Sequence, residues 1–278
     1  MIRFRRSAGF TVIETFTALA IFSGIMVVTT MLLRQSVWVW TAGDSREDAS
    51  IVLSKARSAM NRDLLQADLD PGDAGELHFG RTQTPSGLGG GDAIWFLSAA
   101  GPDNSFERNV DGLPHWQRNV LYYLAKPQNH DALYKQSCSS GSNPAGDDVC
   151  PHKMLIRVVI DNPPVTVPWP DPPAKPGPGD VPEELIDPSE IVSYLIAPNG
   201  LDMSGILAQP GVEEARIITT GLLWFKVAPA PGAPTAGLEV DLRALAIKEA
   251  SKVVPVGSIS VLNDPKTLSS VFSLFPRN

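Results

Sequence analysis

Residues 1–34 read MIRFRRSAGFTVIETFTALAIFSGIMVVTTMLLR, and they carry the strongest signal in the chain. From Phe10 to Leu33, a run of 24 residues contains one ionisable side chain, that of Glu14; three arginines precede the run and Arg34 closes it. As a helix the run is about 36 Å long at about 1.5 Å per residue, which is enough to cross a hydrocarbon core of about 30 Å. The stretch therefore predicts one transmembrane helix.

A secretory signal and a plain anchor are the simpler interpretations of this stretch. The run is longer than a signal h-region of about 7 to 15 residues, the small pair Ala8-Gly9 precedes it, and no A-x-A cleavage site follows it. A plain single-pass anchor stays open, but it gives no reason for Glu14. A carboxylate near the bilayer centre costs about 2.5 to 3.5 kcal/mol on insertion scales, and acids in such positions are usually functional.

The sequence RSAGFTVIE at residues 6–14, followed by ALAIF at 18–22, resembles the class III signal of type IV pilins and pseudopilins. The resemblance implies that a prepilin peptidase cleaves between Gly9 and Phe10, that the new amine of Phe10 is methylated, and that Glu14 serves assembly. Two departures from the usual pattern are Val-Ile before the glutamate and a polar Thr-Phe-Thr after it.

The resemblance also implies partners. These are the prepilin peptidase, other pilin or pseudopilin subunits, an inner-membrane assembly platform and membrane lipid. The run at 18–22 and the turn at 61–67 are similar to the J-type pseudopilin of type II secretion, whereas type IV pili and DNA-uptake filaments use the same leader. The alternative function is a membrane-anchored extracytoplasmic binding or sensor module that does not polymerise.

The isolated carboxylate in the apolar run has a physical use in a filament. A charged amine at the start of one subunit can neutralise a carboxylate one turn along a neighbouring helix, which replaces two buried unpaired charges by a pair. We therefore expect Glu14 to pair with the Phe10 amine of a neighbouring subunit. The alternative is that Glu14 lies at the headgroup level and is solvated there.

Composition bounds the rest of the chain. Its 278 residues, 43% hydrophobic with a net charge of −7, suit one membrane segment and one soluble domain. The acidic balance, without a basic stripe beyond the leader, argues against nucleic acid as a partner. Positive residues before the span keep the N-terminus in the cytoplasm, so we expect a single-pass protein of the inner membrane with a periplasmic or extracellular head.

Four segments are expected in chain order. They are a leader at 1–9, a transmembrane and assembly helix at 10–34, an amphipathic continuation at 35–70, and a β-rich head at 71–278. Trp38 and Trp40 lie where interfacial aromatic residues are expected. Residues 42–45 mark a candidate kink, and residues 52–67 show apolar positions at helical spacing.

The long helix is expected to stop at Asp70-Pro71-Gly72, because Pro biases its predecessor away from the helical conformation. After it, short runs rich in β-branched and aromatic residues alternate with turn residues and predict antiparallel strands. A helix followed by such strands gives an α+β fold, pilin-like in plan. The predicted strands are 76–79, 93–98, 119–125, 133–136, 154–160, 191–197, 216–227 and 238–247, and 268–275 is a short helix or an edge strand.

A proline-rich segment interrupts the head. Residues 162–188 contain ten prolines, a density that excludes a helix or a central strand and favours an exposed polyproline II loop. Such a loop can be a ligand for an aromatic groove, with Trp169 in its middle, or a stiff inserted loop.

The chain has two cysteines, Cys138 and Cys150, which bracket a segment rich in Gly, Ser, Asn and Pro. An even pair outside the cytoplasm predicts a disulfide that closes a surface loop. Free thiols and a metal site are the alternatives. His152 lies two residues past Cys150, but no second Cys or His completes a tetrahedral set at a sensible spacing.

No catalytic motif follows the leader, so neither an enzyme nor a cofactor is predicted. The histidines are isolated, and no nucleophile elbow, zinc-protease motif or phosphate-binding glycine loop is present. Four acids near the end of the long helix can bind calcium or form a solvated turn, and they fail the EF-hand pattern. They are Asp68, Asp70, Asp73 and Glu76.

Overall fold

The computed structural model describes residues 11–67, 79–85, 87–100, 106–110, 112–135, 137–138, 148–161, 183–230, 237–246 and 259–274. The chain divides into two units, Met1–Ser45 and Arg46–Asn278. Helix α1, Val12–Leu64, begins in the first unit and ends in the second. The fold is α+β, as predicted: a long N-terminal helix followed by an antiparallel sheet.

Helix α1 ends earlier than predicted, and residues 42–45, the candidate kink, are helical. It ends at Leu64 rather than near Leu69, because the next residues form a tighter turn in which the Gln66 amide donates to Asp63 and the Ala67 amide to Leu64. Ala67 then pairs with Ser98 of the sheet, which fixes the helix end by tertiary structure.

Within the described residues, the sheet contains seven strands in the order of the chain, each antiparallel to its neighbours. Five of the predicted strands are confirmed with small shifts, and the C-terminal segment is an edge strand. Of the first predicted strand, 76–79, Phe79 belongs to β1, and residues 76–78 lie outside the described part. The strands are β1 Phe79–Gln83, β2 Asp92–Ser98, β3 Arg118–Ala125, β4 Lys153–Ile160, β5 Val212–Pro229, β6 Leu238–Leu245 and β7 Thr267–Leu274.

Two predicted strands are wrong, because local helix signals decide both segments. Residues 133–136 overlap helix α2, His130–Tyr134, which ends at Lys135 in the left-handed conformation. Residues 191–197 overlap α3, Pro188–Ile191, and a following 3-10 turn. Asp187 caps α3 by accepting the Ser189 amide at 2.8 Å, and Pro188 has the fixed φ that suits a first helical position. A further short helix, α4, is Ser204–Leu207.

Both faces of the sheet are covered. On one face the second half of α1 packs through a stripe at three- and four-residue spacing that includes Leu53, Ala56, Met60 and Leu64. On the other face the segment that contains α3 and α4 covers side chains such as Trp95. Because successive side chains of a strand point to opposite faces, β2 and β3 are buried at almost every residue and are apolar in continuous runs.

One buried polar network joins α1 to the sheet. Asp63 of α1 forms an ion pair with Arg157 of β4, and both side chains are at most 7% exposed. Tyr122 of β3 donates its hydroxyl to the same carboxylate at 2.7 Å. Arg157 also donates to Glu214 of β5 at 2.8 Å. Burial, and then the charge of Asp63, raise the pKa of Tyr122 well above its ordinary value, so the phenol stays a donor.

We predict that Asp63→Ala lowers the free energy of unfolding of the full chain in detergent by about 3 kcal/mol. The reason is that Arg157 loses its buried partner, while Glu214 still compensates part of its charge. Thermal or denaturant unfolding followed by circular dichroism measures the change. Asp48→Ala, which removes an exposed acid from the same helix, is the matched control and should change stability by less than about 0.5 kcal/mol. Equal effects of the two substitutions would contradict the role given to Asp63.

Candidate functional site

The first part of α1 exposes apolar side chains on every side. Phe16 is 71% exposed, Ile25 58% and Leu33 62%, and these residues point in different directions around the helix. A helix that is apolar all round belongs inside a large core or a membrane, and this segment is not covered by the protein. Among the described residues it lies in the one helix that is long and apolar enough to cross a membrane.

Threonine hydroxyls inside this apolar segment are satisfied within the helix. Thr17 donates to the Ile13 carbonyl at 2.8 Å, and Thr30 donates to the Met26 carbonyl at 2.7 Å. Such bonds to the carbonyl four residues back remove the cost of placing a hydroxyl in an apolar medium. The polar residues after Glu14 are therefore compatible with a membrane segment.

Glu14 caps the start of α1. Its carboxylate accepts the backbone amide and the hydroxyl of Thr11, each at 2.9 Å, and the Glu14 amide donates to the Thr11 hydroxyl at 3.3 Å. This reciprocal arrangement is a capping box, whose sequence signature T-x-x-E is present at residues 11–14. The sequence analysis missed this local role of Glu14. The predicted cleavage and methylation residues, Gly9 and Phe10, lie outside the described residues.

Indole rings lie at the far end of the apolar segment. Trp38 is 70% exposed and Trp40 is 77% exposed. They follow Arg34, the first basic residue after the apolar run. This order matches the arrangement at a membrane surface, where amphipathic rings lie at the headgroup level.

The two cysteines are joined in the head, as the sequence predicted. The Cys138 and Cys150 sulfur atoms are 2.07 Å apart and their Cα atoms 5.4 Å apart. The bond connects the segment after α2 to the segment before β4. Both residues are buried, at 2% and 0% exposure.

Two histidines contact the disulfide. His130 Nε2 lies 3.4 Å from the Cys150 sulfur and 3.6 Å from the Cys138 sulfur, while His152 Nδ1 lies 3.9 Å from each. The two ring nitrogens are 3.0 Å apart. Of the residues that the structure describes, these four form the one group of three or more His, Cys, Asp or Glu side chains placed to hold a metal ion.

A hydrogen bond decides which nitrogen of the His130 ring donates, and burial keeps the His152 ring neutral. His130 Nδ1 donates to the Asp131 carboxylate at 2.7 Å, an interaction that lowers the pKa of Asp131. Burial, and then the neighbouring His130, lower the pKa of His152 to about 4, so this ring is neutral at neutral pH. The Tyr134 ring stacks on His152 with centroids 4.1 Å apart.

His130 is the residue that sequence reasoning missed. It precedes Cys138 by eight positions and joins the cluster because the left-handed Lys135 ends α2 and turns the chain back. The known spacing motifs describe zinc ligands that are separated by short turns. The spacing of His130, Cys138, Cys150 and His152 matches none of these motifs. The signal in the sequence was the presence of two histidines within ten residues of a cysteine pair.

Two other candidate segments fall outside the described residues. The acids Asp68, Asp70, Asp73 and Glu76 are among these, as are residues 162–182 of the proline-rich loop with Trp169. In the described part of the loop, residues 183–187 contain neither helix nor strand and Pro188 begins α3. Glu183 and Ile186 are buried, at 4% and 3% exposure, so the prediction of an exposed loop is wrong for this part.

Comparison of the chain with protein-family models, with curated proteins and with solved structures finds no significant match.

We predict that reducing the disulfide, in buffer with a chelator, lowers the free energy of unfolding by about 3 kcal/mol, because the bond restricts the unfolded chain. Chemical denaturation of the full chain with and without reductant measures this difference. The variant Cys138→Ser/Cys150→Ser should be insensitive to reductant. Equal gel mobility with and without reductant, together with full thiol labelling of the unfolded protein, would show that no bridge forms.

Proposed function

We propose that the chain is a minor subunit of a filament of the type IV pilin class, as found in type II secretion pseudopili and type IV pili. A prepilin peptidase removes residues 1–9, the new amine of Phe10 is methylated, and the subunit then enters the filament through residues 10–34. Its head stands outside the cytoplasm. The observation that carries the proposal is the leader motif at residues 6–14, placed directly before a fully exposed apolar helix.

The exposed apolar surface supports assembly by helix packing. In lipid, side-by-side association of helices comes from van der Waals packing and interhelical polar contacts, since lipid tails are as apolar as the side chains. Small residues allow close approach between helices, and the segment contains Ala18, Ala20 and Gly24 at its centre. A Cβ added to Gly24 meets nothing within 4 Å apart from its chain neighbours and the nearby backbone of its own helix, so this surface is open to a neighbouring helix.

The capping role of Glu14 is compatible with a second role in the filament. An ionised carboxylate has about four acceptor positions, and Thr11 occupies part of them with its amide and hydroxyl. After cleavage, Phe10 carries a charged amine one residue before Thr11. The amine of a neighbouring subunit can then pair with the carboxylate of Glu14, which cancels both charges in the apolar medium.

The partners follow from this route. They are the prepilin peptidase, other pilin or pseudopilin subunits, an inner-membrane assembly platform and membrane lipid. The arginines at positions 3, 5 and 6 favour a cytoplasmic N-terminus and hence an inner-membrane, single-pass topology with a periplasmic head. Within the class, the J-type pseudopilin of the secretion system is the subunit that the sequence resembles.

We predict that the mature chain in its own cells begins at an N-methylated Phe10. Intact-mass and N-terminal peptide mass spectrometry of the membrane fraction measure this. Gly9→Leu should block cleavage and leave the leader attached, since it removes the glycine of the leader motif at the proposed cleavage position. A wild-type chain that retains residues 1–9 in cells with an active prepilin peptidase would overturn the proposal.

We predict that Glu14→Gln reduces co-purification with other pilin-like subunits by more than about 100-fold, the equivalent of about 3 kcal/mol for breaking a buried charge pair. Glutamine keeps the capping box but removes the charge, so the substitution separates the two roles of this residue. Glu47→Gln, at an exposed position of the same helix, is the control. Normal co-purification of Glu14→Gln would reduce Glu14 to a helix cap, and a wild-type chain that purifies alone would indicate a solitary anchored module.

A further inference from the structure

The side chains around the disulfide have the arrangement of a tetrahedral metal site. Zinc takes four ligands in such sites, with Zn–S near 2.3 Å and Zn–N near 2.0 to 2.1 Å. These bond lengths place the sulfur and nitrogen ligands of one tetrahedron about 3.5 Å apart and two nitrogen ligands about 3.4 Å apart. The four nitrogen–sulfur separations here are 3.4, 3.6, 3.9 and 3.9 Å, and the nitrogen–nitrogen separation is 3.0 Å.

Five of the six edges of the tetrahedron are therefore within about 0.4 Å of the separations between ligands in a zinc site. The sixth edge joins Cys138 and Cys150, and it is the bond that reduction opens. The histidines present ring nitrogens, rather than carbon edges, to the two sulfurs. A disulfide needs no such neighbours, because its sulfur atoms are weak hydrogen-bond acceptors.

The surroundings of His130 match those of a metal ligand. A ligating histidine almost always donates its other ring N–H to a carboxylate or carbonyl, which fixes the tautomer. His130 Nδ1 does so with Asp131, which leaves Nε2 as an acceptor that lies 3.0 Å from His152 Nδ1 and 3.4 and 3.6 Å from the two sulfurs. Asp131 is thus a positioning residue, since it contacts the histidine and not the ion.

The charge balance also suits a buried divalent ion. Two thiolates cancel the charge of one Zn²⁺, and both histidines bind in their neutral form, so the complete site carries no net charge. His130 and both cysteines are at most 2% exposed, a position in which an uncompensated charge would be costly. Four protein ligands leave no open coordination position, which is typical of a structural site.

We propose that the thiol form of this chain binds one Zn²⁺ through His130 Nε2, Cys138 Sγ, Cys150 Sγ and His152 Nδ1, in place of the disulfide. A dithiol of the thiol–disulfide oxidoreductase class supplies the two electrons; the S–S bond breaks, the reductant becomes a disulfide, and each cysteine sulfur gains a proton. Zinc then binds both sulfurs and releases the two protons to solvent.

The two cross-links hold the same parts of the head. Either one joins the segment after α2 to the start of β4 across a separation of 12 residues. The head therefore keeps this loop closed before oxidation as well as after it. This inference concerns the head and does not rest on filament assembly.

The test uses the full chain in detergent, reduced with a phosphine that does not bind zinc tightly, then desalted after incubation with ZnCl₂. We expect one zinc ion per chain by elemental mass spectrometry in the reduced form and none in the disulfide form. Co²⁺ in place of zinc should give the intense visible bands of a tetrahedral site and a thiolate charge-transfer band. Bound zinc should also raise the melting temperature of the reduced chain.

Variants distinguish a specific zinc site from non-specific zinc binding. His152→Ala should lose the zinc, whereas His152→Cys should retain it and intensify the charge-transfer band, which a purely structural role of the ring would not produce. Asp131→Asn should weaken zinc binding 10- to 100-fold in competition with a chelator. His115→Ala, a buried histidine outside the cluster, is the control and should keep the wild-type stoichiometry.

Three results would overturn the inference. They are a reduced wild-type chain that is folded by circular dichroism and retains no zinc, a Co²⁺ spectrum of octahedral type, and zinc retention that is unchanged in His152→Ala. The disulfide form of each variant serves as the folding reference, because it needs no metal.

Discussion

The buried ion pair between Asp63 and Arg157 is the interaction on which the head depends. Removing a carboxylate and a guanidinium from water costs several kcal/mol per ion, and the attraction between them offsets this cost only in good geometry with further hydrogen bonds. Tyr122 and Glu214 supply those bonds from two other strands. A shift of α1 by one residue turns the carboxylate away from Arg157 and Tyr122. The pair therefore sets the register of the helix against the sheet, which apolar packing alone leaves less strictly defined.

Along α1 the surroundings of the side chains change while the backbone conformation does not. Residues 12–40 are apolar and exposed on all sides, whereas residues 46–64 bury one stripe and expose charged side chains on the other faces. The first pattern suits lipid and the second suits the surface of a soluble domain. The proposed function has two requirements, assembly in the membrane and support of the head. Different side chains meet them, since residues 12–40 would serve assembly and residues 46–64 pack against the sheet.

The sequence predicted the parts of this fold that rest on long patterns. The apolar run, the amphipathic stripe and the strands β2 to β6 follow from periodicity and composition over many residues. The errors come from local signals that compete with strand propensity. A strand was predicted at 191–197, but a proline and an aspartate cap start a helix at 188–191, and a 3-10 turn follows it at 192–194. Ala67 pairs with Ser98 just after the end of α1, and the local sequence contains no signal that predicts this early end. For the site, Glu14 and the cysteines were visible in the sequence, but the position of His130 beside them depends on how the chain turns at Lys135.

The order of the sheet has a consequence for how the head forms. Each strand pairs with the one just before it in the chain, and β5 is long enough to pair with β4 through its first half and with β6 through its second. If the strands become available in chain order, each one meets the edge of the strand before it. The sheet can then form one strand at a time, because each described strand pairs with neighbours that are adjacent in the chain. This order shortens the time during which an unpaired strand edge can pair with a wrong partner.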